Sequence, residues 1–492
     1  MVPTVSEVPS QEKKSPTTYP SPLNPKLSVP RVVSLDIILG IAVLGALFTS
    51  IWMFGGFSTN DQTGLLLKSK GTEYRLYGAI NLLLHEKMKT LIAVVFGAGM
   101  ILFISRDNEK GQAGNADLLM RRQMWLILFG LVNALLFLWT GDILFHLGIM
   151  GILLFPFVRM SKRGLFIASC FSLLIFCGKN YWQYADDKKA LKKYKAAIAI
   201  ENRIKKDSAD RAAKLPSLSK NDSIAAAKKD TLAKEQQADK SAWEGKVNGL
   251  KYDPKKDDAD KKEMRRVSYG KLWNYLLPRT QAREAQWTYQ FGLWDFGAMI
   301  LLGMGLFKTG FFNARFSKRA YFLLAVTCLA IGFLLGWFRL HNNQLALQNY
   351  ERYTDKHWTP YNLFFPIEMV SLALGYMSLV MLTVVQGSLN WIGKGLAAVG
   401  RIGLTNYLLQ SILCIVFFAG FGFGYFARLT QFQLYLVAAE VCLGQVVFSV
   451  LWLRHYRYGP AEWLMRCLVH KKWLPNSINK PLAENFTATI VS

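Results

Sequence analysis

The sequence predicts an all-α fold: a polytopic transmembrane helical bundle of about ten spans that carries a charged extramembrane insert. Of the 492 residues, 52% are hydrophobic and 13% aromatic, and the apolar residues gather in runs near the length that crosses about 30 Å of hydrocarbon. The basic residues, which give a formal net charge of +26, lie in short loops between these runs and in one long insert. The expected partner is therefore the lipid bilayer. No nucleic-acid motif accompanies the basic residues, so no nucleic-acid partner is expected.

Ten apolar runs are long enough to be read as spans, five before the insert and five after it. The predicted spans are 35–54, 89–104, 123–139, 143–158, 164–178, 291–312, 320–338, 363–385, 396–421 and 434–453. The chain accordingly divides into a flexible tail (1–34), a first membrane half (35–180), the insert (181–285), a second membrane half (286–455) and a basic tail (456–492). The first tail has no apolar core, so it is not read as a signal peptide.

Basic residues are most frequent in the two tails and in alternate short loops. By the positive-inside rule this pattern places both termini in the cytoplasm of a bacterial inner membrane and the insert on the outer side. The insert is rich in Lys, Glu and Ala and poor in large aliphatic residues, which predicts a solvated helical or disordered excursion. The alternative is a lid or docking arm over an external site. The six cysteines match no zinc-binding spacing, so no metal is expected.

One apolar run contains polar residues that a lipid-facing helix would exclude. The stretch GRIGLTNYLLQS (400–411) includes Arg401, Asn406, Tyr407 and Gln410. Such groups usually face the protein interior and mark function. Asn406 and Gln410 share a helix face, so we expect them to line the inner half of a cavity. Arg401 enters from the cytoplasmic side at the depth of Asp36, and the two either neutralise one another or frame an opening for an anionic substrate.

A second polar cluster is predicted at the outer side of the bundle. His85 precedes the second span, and Asp142 and His146 begin the fourth. Their spacing of four residues places Asp142 and His146 on one helix face, where the carboxylate can orient the imidazole as a general base. Asp142 is alternatively a helix N-cap, with His146 an ordinary satisfied side chain.

Other polar and small residues in the spans are interpreted as packing features. Internal hydrogen-bonding partners are predicted at Asp295, Glu368, Glu440 and Gln445. Glycine pairs, such as Gly97 with Gly99 and Gly303 with Gly305, predict close helix contact. No Walker sequence, dinucleotide fingerprint or HExxH motif is present, which excludes the commonest ATP-driven and metalloprotease classes.

Several long motifs resemble one family of bacterial integral membrane proteins. The motifs RVVSLDIILGIAVLG, KMKTLIAVVFGAGM, GDILFHLGIMGILL, PIEMVSLALGY, GRIGLTNYLLQS and FSVLWLRHYRYGPAEWLMR occur in the order seen in the YeiB-like family, a domain of unknown function. That family is more distantly similar to transmembrane acyltransferases. The resemblance implies transfer of an acyl group from cytoplasmic acyl-CoA, a co-substrate and not a bound cofactor, to an envelope glycan or lipid acceptor.

The same resemblance implies roles for the two clusters. Asp36, Arg401, Asn406, Tyr407 and Gln410 would lie on the acyl-CoA side, and the outer cluster would face the acceptor. Two positions depart from the family pattern, since Asn133 replaces a usual histidine and Leu39 a usual arginine. In place of the missing histidine we expect His146, oriented by Asp142, as the base, with His85 as the second candidate. A polar channel from Arg401 to Asp142 is also expected.

Two other functions fit the same residues. In a small-solute transporter or exporter, Arg401, Asn406, Gln410 and Glu440 would line a pathway across the membrane. In a non-catalytic envelope scaffold, the insert would bind a partner and neither polar cluster would take part in chemistry. The sequence does not distinguish oligomeric states.

Overall fold

The computed structural model describes residues 32–68, 70–108, 115–214, 232–256, 258–265, 267–388 and 391–478. Regular structure in these ranges is helical, apart from one isolated bridge between Tyr456 and Ser477. The prediction of an all-α helical bundle is confirmed.

The helices follow the chain in three groups. The first group is α1 (Val33–Phe54), α2 (Thr59–Lys68), α3 (Thr72–Leu83), α4 (Lys87–Asn108), α5 (Asn115–Leu131), α6 (Leu144–Leu153) and α7 (Lys162–Lys214). The middle group is α8 (Lys234–Leu250), α9 (Asp258–Met264) and α10 (Tyr269–Gln281). The last group is α11 (Leu293–Thr309), α12 (Lys318–Gln348), α13 (Tyr350–Lys356), α14 (Phe365–Gln386), α15 (Trp391–Arg401), α16 (Gly403–Phe418), α17 (Gln431–His455) and α18 (Pro460–His470). Two π-helical segments, Val132–Leu136 and Ala282–Gly292, follow α5 and α10.

The apolar helices make this a membrane protein, with fewer full-length spans than the ten expected. Within the described ranges, seven helices are long and apolar enough to cross a membrane, or eight if α15 and α16, which are bent by 81° at residue 402, count as one. The predicted fourth and sixth spans correspond to α6 and α11, with 10 and 17 residues. At 1.5 Å per residue these helices reach only about 15 and 26 Å.

Helix α6 is short because it ends at Leu153, and a 3-10 helix containing Pro156 (Phe155–Arg159) replaces the rest of the predicted span. The chain before α6 folds into the bundle. The π-helical segment Val132–Leu136 ends α5, and residues 137–143 continue inward without regular helix. Leu138 and Trp139 on this stretch are buried, and the Trp139 ring stacks on Phe54 of α1 at 4.2 Å between centroids. A stretch read from the sequence as two adjoining spans is therefore a helix, an inward loop and a short helix.

Helix α11 lies at the centre of the bundle, and glycines let its neighbours approach it. Every side chain from Asp295 to Leu306 is buried. A Cβ at Gly97 of α4 would lie 2.1 Å from the carbonyl oxygen of Ile300, and one at Gly303 would lie 2.0 Å from that of Val94. The predicted close contact is thus confirmed for Gly97 and Gly303. Gly99, in contrast, faces open space.

The described part of the insert is mostly helical and packs both on itself and on neighbouring helices. Helix α7 continues without a break from its apolar start to Lys214. The Trp243 side chain of α8 is 2% exposed and lies against Tyr194 of α7 and Tyr350 of α13, with ring centroids 6.3 and 6.0 Å away. A single tryptophan thus gives a mostly charged segment a small buried core. Residues 215–231 of the insert lie outside the described residues.

An ion pair between α7 and α13 leads to a pH prediction. Lys195 Nζ lies 2.7 Å from Asp355 Oδ1, and this hydrogen bond lowers the pKa of Asp355 below its usual value. The bond therefore stabilises the contact above the usual pKa and is lost as the pH falls through the lowered one. Because both side chains are exposed, we expect the pair to contribute little to the stability of the contact between α7 and α13. Hydrogen exchange of α13 amides should be slower in the unmodified protein than in Asp355→Asn at neutral pH, and the two rates should converge in acid; a pH-independent ratio would contradict this.

Candidate functional site

The inward loop before α6 meets the polar stretch of α16. The Tyr407 hydroxyl accepts hydrogen bonds from Trp139 Nε1 at 3.2 Å and from the Ile143 backbone N–H at 3.1 Å. Tyr407 lies in α16, beyond the 81° bend that follows Arg401. The structure therefore brings Tyr407 to the cluster around Asp142, whereas the sequence placed it with the acyl-CoA side.

Asp142 is fully buried and holds the start of α6. Its Oδ2 accepts the Phe145 N–H at 2.9 Å, and its Oδ1 accepts from Asn133 Nδ2 at 2.8 Å. The first bond satisfies a free N–H of the first helical turn, as an N-cap does. The second ties α6 to the π-helical segment after α5. Position 133, where the family resemblance implies histidine, is therefore in direct contact with the predicted orienting carboxylate.

His146 is fully buried, and the acidic side chain facing it comes from a distant part of the sequence. His146 Nε2 lies 3.7 Å from Glu284 Oε2, and the Glu284 side chain is 10% exposed. The imidazole also stacks on Phe296 of α11, with centroids 5.8 Å apart and an interplanar angle of 11°. Within the described part of the chain, neither Glu284 oxygen accepts a hydrogen bond, although both are inaccessible to solvent. The imidazole of His146 is therefore buried against an aromatic ring. Once this imidazole is protonated, the Glu284 carboxylate is close enough to pair with it.

A cavity of about 410 Å³ lies beside this pair. Its apolar walls come from Phe145, Ile149, Met150, Leu153, Ala285 and Leu293. Gln281, Glu284 and Thr288 add polar groups. The volume is within the range of about 300–1,000 Å³ that small-molecule sites occupy. The cavity can hold an apolar group next to the Glu284 carboxylate.

The segment that carries Glu284 also packs across the inward loop. The side chains of Met264, Val267 and Leu272 are buried against Leu138 and Ala419. Nearby, the Tyr269 hydroxyl donates to the Leu136 carbonyl at 2.8 Å. The end of the predicted insert therefore covers the loop that holds Asp142, and it supplies a member of the site.

A buried ion cluster joins α4, α12 and α14. Glu368 accepts from Lys87 Nζ at 2.7 Å and from Arg339 Nε at 2.7 Å, and Arg339 Nη2 also donates to Asn81 Oδ1 at 2.9 Å. Side-chain exposures are 0%, 1% and 10% for Lys87, Glu368 and Arg339. The prediction that Glu368 is an internal partner is confirmed, and its partners are two cations.

A second ion pair connects that region with His146. Lys89 Nζ lies 3.2 Å from Asp295 Oδ2 and also contacts Glu86. Its ammonium stands 5.2 Å from the centroid of the Phe296 ring, the ring on which His146 stacks. Asp295 is therefore an internal partner, as predicted.

On the side where acyl-CoA is expected, α1 and α15 touch through their backbones. A Cβ on Gly400 would lie 1.8 Å from the Asp36 carbonyl oxygen, so Asp36 and Arg401 belong to adjoining helices. Arg401 stands at the bend between α15 and α16, where its Nη2 donates to the Arg457 carbonyl at 3.0 Å. Both side chains are half-buried.

The amides that follow Arg401 are used in helix packing. Asn406 Nδ2 donates to Ser449 Oγ at 2.9 Å, and Gln410 Nε2 donates to Gln445 Oε1 at 2.9 Å and to the Val43 carbonyl at 3.1 Å. Gln445 is therefore an internal partner, as predicted. The contacts of Asn406 and Gln410 form a packed interface between α1, α16 and α17 and not the wall of an open channel.

His85 and Glu440, which the sequence also singled out, lie outside the two segments that carry His146 and Glu284. His85 is half-buried at the break between α3 and α4, two residues before Lys87 of the ion cluster. Glu440 is exposed on the outer face of α17, so the prediction that it is an internal partner is wrong. The α17 helix packs by another face, which contains Gln445 and Ser449.

Sequence reasoning missed Glu284, which lies 138 positions after His146 in the charged segment before the sixth apolar run. Asn133 and Glu284, which both belong to the candidate site, each lie in a π-helical segment. Such segments are rare and are frequent at functional sites. They leave no signal in hydropathy.

The fold and the site define a helical membrane protein with a polar centre inside its bundle. Residues 306–472 match a family model described as "Protein of unknown function (DUF418)". The chain is 27% identical over 458 residues to the uncharacterized protein YeiB of Escherichia coli K12, covering 89% of this chain and 96% of YeiB. It is 25% identical over 469 residues to the uncharacterized protein YxaH of Bacillus subtilis 168, covering 92% and 98%. No solved structure gives a significant match. The resemblance to the YeiB-like family of unknown function is confirmed.

Proposed function

We propose that this protein is an acyltransferase of the bacterial inner membrane, with both termini in the cytoplasm and the insert outside. It would move an acyl group from cytoplasmic acyl-CoA to a hydroxyl of an envelope saccharide or lipid. The observation that supports this most is the buried pair of His146 Nε2 and Glu284 Oε2, 3.7 Å apart beside a cavity of about 410 Å³. A water-poor site with a base and a carboxylate suits proton transfer from a hydroxyl.

The chemistry assigned to the pair is general base catalysis. His146 Nε2 takes the proton as the acceptor O–H bond breaks, and the oxygen forms a bond to the thioester carbonyl carbon. The C–S bond then breaks, and the departing CoA sulfur receives that proton from the imidazolium. Glu284 stabilises the imidazolium through its negative charge. The products are an ester and free CoA.

The other predicted residues take supporting roles in this proposal. Asp142 positions α6, and hence His146, through its bonds to Asn133 and Phe145. Tyr407 fixes the inward loop. Arg401 and Asp36 remain the proposed contact region for CoA, because a guanidinium suits phosphate. Asn406 and Gln410 hold α16 in place, and α16 must move for a donor to pass from Arg401 toward His146.

Loss of His146 is the direct test. We expect His146→Ala to lower acyl transfer, measured as release of free CoA by the purified full-length protein, by about 100-fold or more, since general base catalysis contributes that much. Glu284→Gln should lower it too, while His341→Ala, on the exposed face of α12, should not.

His85→Ala provides the comparison within the predicted set, because transfer that depends on His85 and not on His146 would move the base to His85. Thermal unfolding of each variant in detergent excludes misfolding as the cause. Unchanged turnover in a folded His146→Ala protein would remove His146 from the mechanism.

A second function, passage of a small solute, has one observation in its favour. The 81° bend between α15 and α16 gives a broken helix beside buried polar groups, and broken helices form the binding sites of many transporters. Arg401, Asn406 and Gln410 would then separate from their present partners and line the pathway. Solute flux into proteoliposomes without CoA would favour this function over acyl transfer.

A further inference from the structure

We infer that the cavity beside Glu284 binds the hydrocarbon chain of a long-chain alcohol, whose hydroxyl donates a hydrogen bond to the Glu284 carboxylate. This names the acceptor as a lipid alcohol and not a saccharide. The inference rests on the proposed function, because the alcohol is the acceptor of the acyl group. The binding step itself needs no acyl donor and is testable alone.

The walls of the cavity favour a hydrocarbon chain. The residues from α6 are all apolar, and so are Ala285 and Leu293. Leu153 at the end of α6 is 53% exposed, so the cavity reaches the outer surface of the bundle. An apolar chain can therefore enter from the bilayer without crossing water.

The polar groups of the cavity favour one hydroxyl and not a sugar. Both Glu284 oxygens are inaccessible to solvent and accept no hydrogen bond within the described residues. A carboxyl group keeps an acceptor oxygen whether it is ionised or neutral, so a hydroxyl donor fits it. Thr288 Oγ1 already donates to the Arg283 carbonyl at 3.4 Å. A saccharide would bury many hydroxyls against apolar walls without partners, which is unfavourable.

The position of His146 links this binding to chemistry. A hydroxyl bound at Glu284 Oε2 lies next to His146 Nε2, since the two atoms are 3.7 Å apart. Glu284 then has two successive partners, the substrate hydroxyl and the imidazolium that forms after proton transfer. It is expected to act in both binding and catalysis.

Photolabelling tests the binding. The full-length protein in nanodiscs is exposed to a diazirine-bearing dodecanol without acyl-CoA, and labelled peptides are identified by mass spectrometry. We expect label on the α6 peptide, Leu144–Leu153. Unlabelled dodecanol should compete about tenfold more strongly than dodecane, the difference that one hydrogen bond supplies. Glu284→Leu should abolish that difference.

Variants that fill the cavity provide the second readout. Ile149→Trp should reduce labelling of α6 about tenfold, and Leu153→Trp, at the exposed rim, serves if the first variant fails to fold. Leu323→Trp, on the exposed face of α12, is the matched control and should label as the unmodified protein does.

Equal competition by dodecanol and dodecane, or full labelling in folded tryptophan variants, would overturn the inference. Stronger competition by dodecylamine than by dodecanol would overturn it in favour of a cationic amphiphile. Specific labelling with no CoA release for any lipid alcohol would instead refute the proposed acyl transfer, while the inferred binding site would stand. Acyl transfer that persists in both tryptophan variants would remove only the binding site.

Discussion

Glu368→Ala is expected to lower the free energy of unfolding by about 3–5 kcal/mol, the usual cost of leaving a buried charge without its partner. Glu368 accepts from both Lys87 and Arg339, whose side chains are 0% and 10% exposed. Without the carboxylate, two cations face each other inside the bundle. The measurement is the midpoint of unfolding, by heat and by added sodium dodecyl sulfate, of the purified protein in a mild detergent.

Two controls separate this effect from the loss of any charged residue. Glu440→Ala removes a carboxylate from the exposed face of α17 and should change the free energy by less than about 0.5 kcal/mol. Replacing Lys87, Arg339 and Glu368 together by methionine removes all the charges and should recover much of the stability, because a buried ion cluster often does not exceed apolar packing in net stability. A Glu368→Ala protein as stable as Glu440→Ala would contradict the cluster's role.

Gly97→Ala is expected to destabilise the protein by about 1–3 kcal/mol or more through overpacking. Its new methyl group would lie 2.1 Å from the Ile300 carbonyl oxygen, which is backbone and cannot rotate away. Helices α4 and α11 would have to separate, and with them Lys89 and Phe296. The same unfolding measurements apply.

Gly99→Ala is the matched control, two residues further along α4, where nothing lies within 4 Å of the new methyl group. It should be neutral or slightly stabilising, because alanine has the better helix propensity. Gly400→Ala tests the crossing of α1 and α15, where the methyl group would lie 1.8 Å from the Asp36 carbonyl oxygen. If Gly97→Ala and Gly99→Ala had the same stability, the close backbone contact would not matter for folding.

Hydropathy predicted the helical class and most of the membrane helices, because burial in lipid requires long apolar runs. It did not predict that α6 has only ten residues, since the 3-10 helix Phe155–Arg159 that follows it is largely apolar as well. It also did not find the core of the insert, which depends on Trp243 packing between Tyr194 and Tyr350. Contacts of that kind join residues far apart in sequence.

The candidate site was predicted in part. His146 and Asp142 do begin one short helix, and Tyr407 does lie in the bundle interior. The acidic partner of His146 could not be found, because Glu284 comes from a charged segment that hydropathy assigns to solvent. Glu440 shows the converse limit: a carboxylate in an apolar run predicts an internal partner, but the helix turns it outward. Hydropathy reports composition along the chain, and these outcomes depend on which face each helix presents.

The π-helical segment Val132–Leu136 has a consequence for the direction in which the chain leaves α5. A π turn holds one more residue than an α turn, and this one stands at the end of its helix. Asn133 within the segment contacts Asp142, and Trp139 in the loop that follows contacts Tyr407. Deleting one residue here would shorten the link between these two contacts, and we expect one of them to be lost.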